Sequence, residues 1–149
     1  MLERAPSARV VGPGVLRGYS LKWHKSGRDG SGKCDVVVEP QAAVHGVLYE
    51  ILPAEKHALD RAEGLGSGYD EQWVHVEHQG KVVCAYIYRA SSLDPSLAPY
   101  GWYKALVLAG ARQHCLPAEY IAALEAVAAR VDPDAQRHAR NMALATRSA

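Results

Sequence analysis

The sequence predicts an α+β fold in which a small, largely antiparallel or mixed β-barrel is joined by a short helix and followed by a C-terminal helical segment. The first half of the 149 residues alternates short β-type runs with Gly and Pro turns. The last third instead carries apolar residues at helical spacing. A single domain over residues 1–149 is therefore expected, and this length buries enough surface to fold without a metal or disulfide.

Strand signals come first along the chain, because β-type runs are separated by Gly and Pro. The four predicted runs are Arg9–Leu16, Tyr19–His24, Cys34–Val38 and Val44–Ile51. Two further alternating runs, Tyr69–Glu77 and Val82–Tyr88, flank a short polar stretch containing Gly80 and predict a β-hairpin.

Helical signals appear once in the middle of the chain and then at its end. Pro53 suits the first position of a helix and Gly64 suits its stop, which predicts a helix over Pro53–Glu63. Two more helices are predicted on either side of Pro117, over Trp102–Gln113 and Ala118–Val131. The Ala- and Arg-rich tail, residues 132–149, is expected to be a frayed helix.

The charge balance argues against large anionic partners. Seventeen Lys and Arg residues against sixteen Asp and Glu leave a net charge of +1, whereas nucleic acids and anionic membranes require a basic patch. No apolar leader or membrane-length run occurs, and the three cysteines form no C-x-x-C pair. We expect a cytoplasmic protein that binds a small molecule, with no nucleic acid and no membrane as partner.

The stretch Gly27–Cys34 imitates a phosphate-binding loop but fails two requirements. Its last position holds Cys34 where Mg²⁺ needs a Ser or Thr hydroxyl, and the residues that follow predict a strand where such a loop requires a helix. We interpret the stretch as a flexible connection between strands. Its cations, Arg28 and Lys33, could meet a substrate carboxylate, but solvated loop charges are the favoured interpretation.

Metal and thiol chemistry are also disfavoured. His75 and His78 are three residues apart at a strand end, so their side chains need not converge, and no carboxylate completes a ligand set. Cys115 is interpreted as a buried structural thiol. No metal and no cofactor are predicted.

Several segments in order resemble the γ-glutamylcyclotransferase family, over about Arg4 to Leu124. The matching segments are Arg4–Ala8, Asp29–Lys33, Val44–Tyr49, Ala58–Gly64, Ser67–Tyr69, Trp102–Tyr103, Leu108–Arg112 and Leu116–Ile121. The resemblance implies a small barrel that closes a γ-glutamyl amide to 5-oxoproline and releases the amine, as an enzyme without a cofactor. It further implies that Glu63 is the general acid/base and that Tyr69 and Tyr103 line the substrate pocket.

The residues alone leave the roles of these side chains open. Glu63 lies in the last turn of its predicted helix, where the helix dipole disfavours a carboxylate, with Asp60 one turn earlier. This conflict with local preference is typical of a functional residue, although two solvated acids would show the same pattern. For Tyr69 and Tyr103 the alternative is core packing with a hydrated hydroxyl.

One departure from the family pattern concerns the start of the chain. Family members begin with a strand that runs into Tyr-Gly-Ser-Asn, whose backbone amides hold the glutamyl group, and the present sequence starts beyond that point. Either Met1 is an internal start, or this copy has lost the site and is inactive. A non-catalytic ligand- or protein-binding domain of the same fold is the alternative function, and exposed strand edges favour a homodimer.

We expect the reading frame immediately upstream of Met1 to encode a short apolar strand ending in Tyr-Gly-Ser-Asn or a near variant. The reason is that the resemblance begins abruptly at the N-terminus. Sequencing the upstream region checks this, and an in-frame stop codon close to Met1 would contradict it.

Overall fold

The computed structural model describes residues 6–63 and 69–147, without the side chains of residues 62 and 63. The elements are β1 (Arg9–Ser26), β2 (Gly32–Glu50), α1 (Pro53–Glu63), β3 (Tyr69–His78), β4 (Lys81–Ala90), α2 (Gly101–Gln113), α3 (Ala118–Glu125) and α4 (Ala135–Arg147). This content confirms the predicted α+β class. The chain forms two compact units, a first of Met1–Leu21 with Asp35–Leu93 and a second of Lys22–Cys34 with Asp94–Ala149.

The four strands form one sheet in the order β2-β1-β3-β4. Strand β3 pairs antiparallel with β1, opposing Val15 to Glu77, and antiparallel with β4 along its whole length from Tyr69–Ala90 to His78–Lys81. Over the part of the chain that the structure covers, the order has two ends, at β2 and β4. The sheet is therefore open and does not close into the predicted barrel.

The four short strands predicted before α1 are in fact two long ones. Gly18 lies inside β1 with a φ of 78°, a conformation that glycine adopts without cost at a strand irregularity. Pro40 lies inside β2, which is at one end of the sheet order, where a missing N–H can face away from the ladder. The predicted runs end at Leu16 and at Val38, before these two residues, whereas the structure continues each strand through them.

The core of the first unit is built on one face of the sheet. Leu16, Val74 and Val76 are buried, and the half-buried apolar side chains packed against them are Tyr19, Val44, Leu48, Val83, Ala85 and Ile87. Along β2, β3 and β4 these positions have the even spacing that places side chains on one face of a sheet. In β1, Leu16 and Tyr19 are three positions apart, with the irregularity at Gly18 between them. The hairpin turn that fixes this alignment has positive φ at Gln79 (48°) and Gly80 (74°).

Helix α1 has the predicted bounds, whereas the predicted helix Ala118–Val131 stops early. Helix α3 ends at Glu125, and the segment that follows forms backbone hydrogen bonds to the start of α2 in the same unit. Arg130 N–H donates to the Pro99 carbonyl at 2.8 Å, and Gly101 N–H donates to the Arg130 carbonyl at 3.0 Å.

The tail of the second unit is tied down by one carboxylate. Asp132 is buried and accepts hydrogen bonds from Trp102 Nε1 (2.7 Å) and from Arg137 Nε (2.6 Å) and Nη2 (2.5 Å). Arg137 belongs to α4, so this contact holds the predicted tail to the second unit as a helix over Ala135–Arg147. Among the described helices, none has the length and apolar character to cross a membrane. That residues 1–149 form one domain lacking the family's first strand stays a prediction.

Two glycines in the sheet predict opposite responses to alanine. A Cβ at Gly14 would lie 2.6 Å from Val76 Cγ1 in the core, whereas a Cβ at Gly46 meets nothing within 4 Å. Gly14→Ala is expected to lower the free energy of unfolding by roughly 1–3 kcal/mol through overpacking. Gly46→Ala should be neutral or stabilising by up to about 1 kcal/mol. Urea denaturation of both variants measures the difference, and equal stabilities would refute the tight packing at Gly14.

Candidate functional site

The first unit contains a cavity of about 690 Å³, within the usual size range of ligand sites. Its wall is mainly apolar and comes from all four strands and from α1. Side chains that represent each element are Leu16 of β1, Leu48 of β2, Leu59 of α1, Val76 of β3 and Ile87 of β4. Three aromatic residues, Trp73, Tyr86 and Tyr88, also line it. Trp73 and Tyr86 meet edge to face at 5.7 Å, as do Tyr86 and Tyr88 at 5.8 Å.

A charged network joins α1 to this aromatic wall. Lys56 Nζ lies 2.7 Å from Asp60 Oδ1 and also forms an ion pair with Glu71. The Tyr88 hydroxyl donates to Asp60 Oδ1 at 2.6 Å. The ammonium of Lys56 further lies 4.6 Å from the centre of the Tyr86 ring, within cation–π range.

The network shifts the ionisation of its members. Burial of Asp60 alone would raise its pKa, but the hydrogen bonds from Lys56 and Tyr88 outweigh burial and lower it. Burial, followed by the hydrogen bond to Asp60, raises the pKa of Tyr88. Asp60 is thus held as a carboxylate and Tyr88 as a neutral phenol, which makes both poor proton carriers near neutral pH.

The predicted acid/base residue Glu63 is the last residue of α1, and its side chain lies outside the described residues. The helix that carries it is on the cavity wall, because Leu59 is 3% exposed and lines the cavity. Residue 63 follows Leu59 by four positions and Asp60 by three, the spacings that share one helix face. The predicted assignment of Glu63 stays a prediction.

Tyr69 is half-buried and opens β3, paired opposite Ala90 at the end of the hairpin away from its turn. At the same end, the buried Asp35 accepts the Ala90 N–H at 2.8 Å. The predicted Tyr69 is therefore the first residue of β3, and its role in substrate binding stays a prediction.

The sequence interpretation missed a polar chain beside the core. Arg89 Nη1 donates to Gln72 Oε1 at 2.8 Å, and Gln72 Nε2 donates to the Tyr19 hydroxyl at 3.0 Å. The predicted strand ended at Tyr88, one residue too early to include Arg89 in the alternation of β4. Extending the alternation by one residue would have placed an arginine on the same face as Ala85 and Ile87.

Tyr103, the second tyrosine predicted to line the substrate pocket, is in α2, and its hydroxyl and ring contact residues of the second unit. Its hydroxyl accepts the Cys34 N–H at 3.2 Å. Its ring lies edge to face with Trp23 at 6.0 Å and with Trp102 at 5.9 Å. These contacts match the core-packing alternative, and the predicted substrate role of Tyr103 stays a prediction.

Lys33 is not the solvated loop charge that the sequence favoured. Its side chain is 18% exposed and pairs with Asp29 at 2.7 Å, and its ammonium lies 4.6 Å and 4.7 Å from the ring centres of Trp102 and Tyr103. The loop before it is a closed turn rather than a flexible link, because Gly27 N–H donates to the Ser31 carbonyl at 2.9 Å. Strand β2 follows at once, as predicted, and Arg28 is exposed.

Cys115 is exposed with a φ of 52°, so the prediction of a buried structural thiol is wrong. The chain leaves α2 at this point, which keeps the side chain out of the core. Within the described ranges, no group of three or more His, Cys, Asp or Glu side chains could hold a metal ion.

Comparisons with known proteins agree with this architecture. A sequence model described as "AIG2-like family" matches residues 43–124. A solved structure named "Gamma-glutamyl cyclotransferase" is similar to this chain, and the match covers 98% of this chain and 89% of the other. The TM-score is 0.84 and the sequences are 23% identical, which shows a shared fold. The structure of an uncharacterized protein from Homo sapiens is also similar, and the match covers 91% of this chain and 87% of the other, with a TM-score of 0.79 and 26% sequence identity.

A third solved structure shares the fold over most of this chain. YkqA from Bacillus subtilis has a TM-score of 0.71 and 23% identity, and the match covers 81% of this chain but 46% of YkqA. Among curated proteins, none matches this sequence significantly.

The contacts of Lys33 predict a specific loss of stability. Burial of Asp29 alone would raise its pKa, but hydrogen bonds from Lys33 and Ser31 outweigh burial and lower it. Lys33→Met leaves that carboxylate without its cation and should cost roughly 1–3 kcal/mol at neutral pH. Because the ion pair exists only while Asp29 is ionised, the cost should fade as the pH falls through the lowered pKa of Asp29.

Denaturant titrations of Lys33→Met at neutral and acidic pH measure this effect, with Arg28→Met as the matched control. Arg28 is an exposed cation of the same loop, so its loss should be neutral. Equal stabilities of the two variants at neutral pH would contradict the structural role of Lys33.

Proposed function

Since the chain belongs to the AIG2-like family, whose members are γ-glutamylcyclotransferase-like, we propose that it cyclises a γ-glutamyl amide to 5-oxoproline and releases the amine. The observation that carries the proposal is the course of α1. This helix forms over the predicted residues, contributes Leu59 to the cavity wall and ends one turn later at Glu63. The matched segment 43–124 contains all of α1.

The substrate supplies its own nucleophile in this reaction. The α-amine and the γ-carbonyl belong to one molecule, so ring closure needs positioning and proton transfer but no enzyme nucleophile. Glu63 takes a proton from the α-ammonium group, and the freed nitrogen lone pair forms a bond to the γ-carbonyl carbon. The ring nitrogen still carries two protons at this stage. Glu63 gives its proton to the amide nitrogen, and the oxyanion re-forms the carbonyl as the amide C–N bond breaks. The ring nitrogen then loses its extra proton to the freed Glu63 carboxylate, which passes it to the departing amine, so the products are 5-oxoproline and an ammonium.

The state of Asp60 supports Glu63 as the proton carrier on this helix. Asp60 already accepts hydrogen bonds from Lys56 and Tyr88, and its pKa is lowered, so it is a weak base. A general base works best when its pKa is near the working pH, and an apolar wall such as that around Leu59 moves a carboxyl in that direction. Asp60 is therefore a member of the supporting network, and Tyr69 at the start of β3 is the proposed contact for the glutamyl group.

Replacement of Glu63 tests the proposal. Glu63→Gln keeps the volume of the side chain but cannot accept a proton from the α-ammonium group, so kcat should fall at least about a hundredfold while KM changes little. Release of 5-oxoproline from γ-glutamyl amides measures this, both in the 149-residue chain and in a form that carries the expected upstream segment.

Asp60→Asn is the matched control, one turn away on the same helix. It should change the rate only a few-fold, through the altered network. Near-full activity of Glu63→Gln, or abolished activity of Asp60→Asn alone, would move the proton carrier elsewhere. Absence of 5-oxoproline release from both forms of the wild-type protein would favour the non-catalytic ligand-binding alternative.

A further inference from the structure

Trp73 of β3 is the exposed member of the three tryptophans. Trp102 is buried and Trp23 is half-buried, whereas Trp73 is 62% exposed. Trp73 also lines the cavity of the first unit. Burial of an indole normally stabilises a fold, and Trp73 does not gain that stabilisation in the free protein. An exposed tryptophan on the wall of a ligand-sized cavity indicates a surface that a ligand covers.

The ring of Trp73 is held in one orientation by its neighbours. It meets Tyr86 edge to face at 5.7 Å, and Tyr86 meets Tyr88 in the same way at 5.8 Å. The Tyr88 hydroxyl donates to Asp60 Oδ1 at 2.6 Å, which joins the three rings to α1. A ring that is already ordered loses little conformational entropy when a ligand binds against it.

The charges beside these rings pair with one another. Lys56 forms ion pairs with Asp60 and Glu71, and its ammonium lies 4.6 Å from the centre of the Tyr86 ring. Asp60 also accepts the hydroxyl of Tyr88. Since these polar groups already satisfy one another, what this part of the wall offers a ligand is ring surface.

Trp73 shares a face of β3 with Tyr69, because side chains alternate along a strand and the two residues are four positions apart in a continuous register. Four positions of a strand span about 13 Å. Glu71 lies between them on that face, and its ion pair with Lys56 brings α1 to this interval. Tyr69 is the proposed contact for the glutamyl group, so Trp73 lies on the side of the amine portion of an extended γ-glutamyl amide.

We propose that Trp73 binds an aromatic ring on the amine portion of the substrate. The inference rests on the proposed function, and it names the substrate class as γ-glutamyl amides of amines that carry an aromatic ring on a short arm. The substrate ring lies against the indole, which removes apolar surface of both rings from water. Tyr86 is a positioning residue that holds the indole through its ring edge.

The affinities of two γ-glutamyl amides, those of phenethylamine and of ethylamine, test the proposal. Initial rates give KM for the wild type, and titration calorimetry gives Kd in the Glu63→Gln background. The phenethylamide should bind about ten- to hundredfold more tightly than the ethylamide, because its ring is buried against Trp73. Trp73→Ala should reduce this preference to about threefold or less, and Trp73→Phe should keep part of it. Val82→Ala, which shortens a 66% exposed side chain of the same hairpin, is the matched control and should keep the full preference.

Acrylamide quenching of tryptophan fluorescence provides a second test. The phenethylamide should shield the exposed Trp73 from acrylamide more than the ethylamide does, and this difference should be absent in Trp73→Phe. Tyr86→Leu should weaken the shielding because the indole loses its support, whereas Tyr86→Phe keeps the ring edge and should retain it.

Three results would overturn the proposal. The first is equal binding of the two amides, or no binding of the phenethylamide, by the protein with Trp73 intact. The second is a preference for the phenethylamide that survives in Trp73→Ala. The third is tighter binding of the γ-glutamyl amide of putrescine than of the phenethylamide, dependent on Trp73, since the indole would then recognise a cation.

The two proposals fail separately. If no γ-glutamyl amide is cyclised but the preference for the phenethylamide is present and requires Trp73, the aromatic subsite stands and the cyclase function falls. If both amides are cyclised with equal KM values, the function stands and the assignment of Trp73 falls.

Discussion

The ten residue pairs between β3 and β4 are the constraint on which the first unit depends. This register sets Val76 opposite Val83 on the core face and Trp73 opposite Tyr86 on the other face. A slip of one residue would exchange the two faces, exposing the core valines and burying charged side chains. The left-handed turn at Gln79 and Gly80 prevents that slip, since its geometry fixes which residues begin the ladder.

The register also places Glu71 on the face that carries Trp73, where Lys56 joins it to Asp60 of α1. In the second unit, Lys33 pairs with Asp29 and lies against the rings of Trp102 and Tyr103. In both clusters a partly buried cation meets a carboxylate of the same unit, so each offsets the desolvation of the other. Arg89 differs from both cations, because its Nη1 donates to the neutral amide of Gln72.

Elements with local signals were predictable from the sequence. Helix α1 has the predicted bounds because Pro53 starts it through its own backbone geometry, and the β3–β4 hairpin matches its prediction to within two residues. The predicted interruptions of the strands around Gly18 and Pro40 were wrong. Glycine or proline ends a strand only where the adjacent strand requires a regular backbone hydrogen bond from that residue. That need depends on position in the sheet, which the local sequence does not contain.

The family resemblance supplied the predicted site residues Glu63, Tyr69 and Tyr103, and their roles stay predictions. Lys33 shows why a local pattern was insufficient. Its glycine-rich surroundings are typical of a solvated loop, yet its ammonium lies against the rings of Trp102 and Tyr103 in α2. The neighbouring Cys34 is 69 positions from Tyr103 in the sequence. Contacts of that separation follow from packing, not from local pattern. Arg89 is the intermediate case, because a charge on the inward face of an alternating strand is visible once the strand is followed to its true end. An inward arginine with no acid along its own strand implies a partner from outside that strand, and the structure shows this partner to be Gln72 of β3.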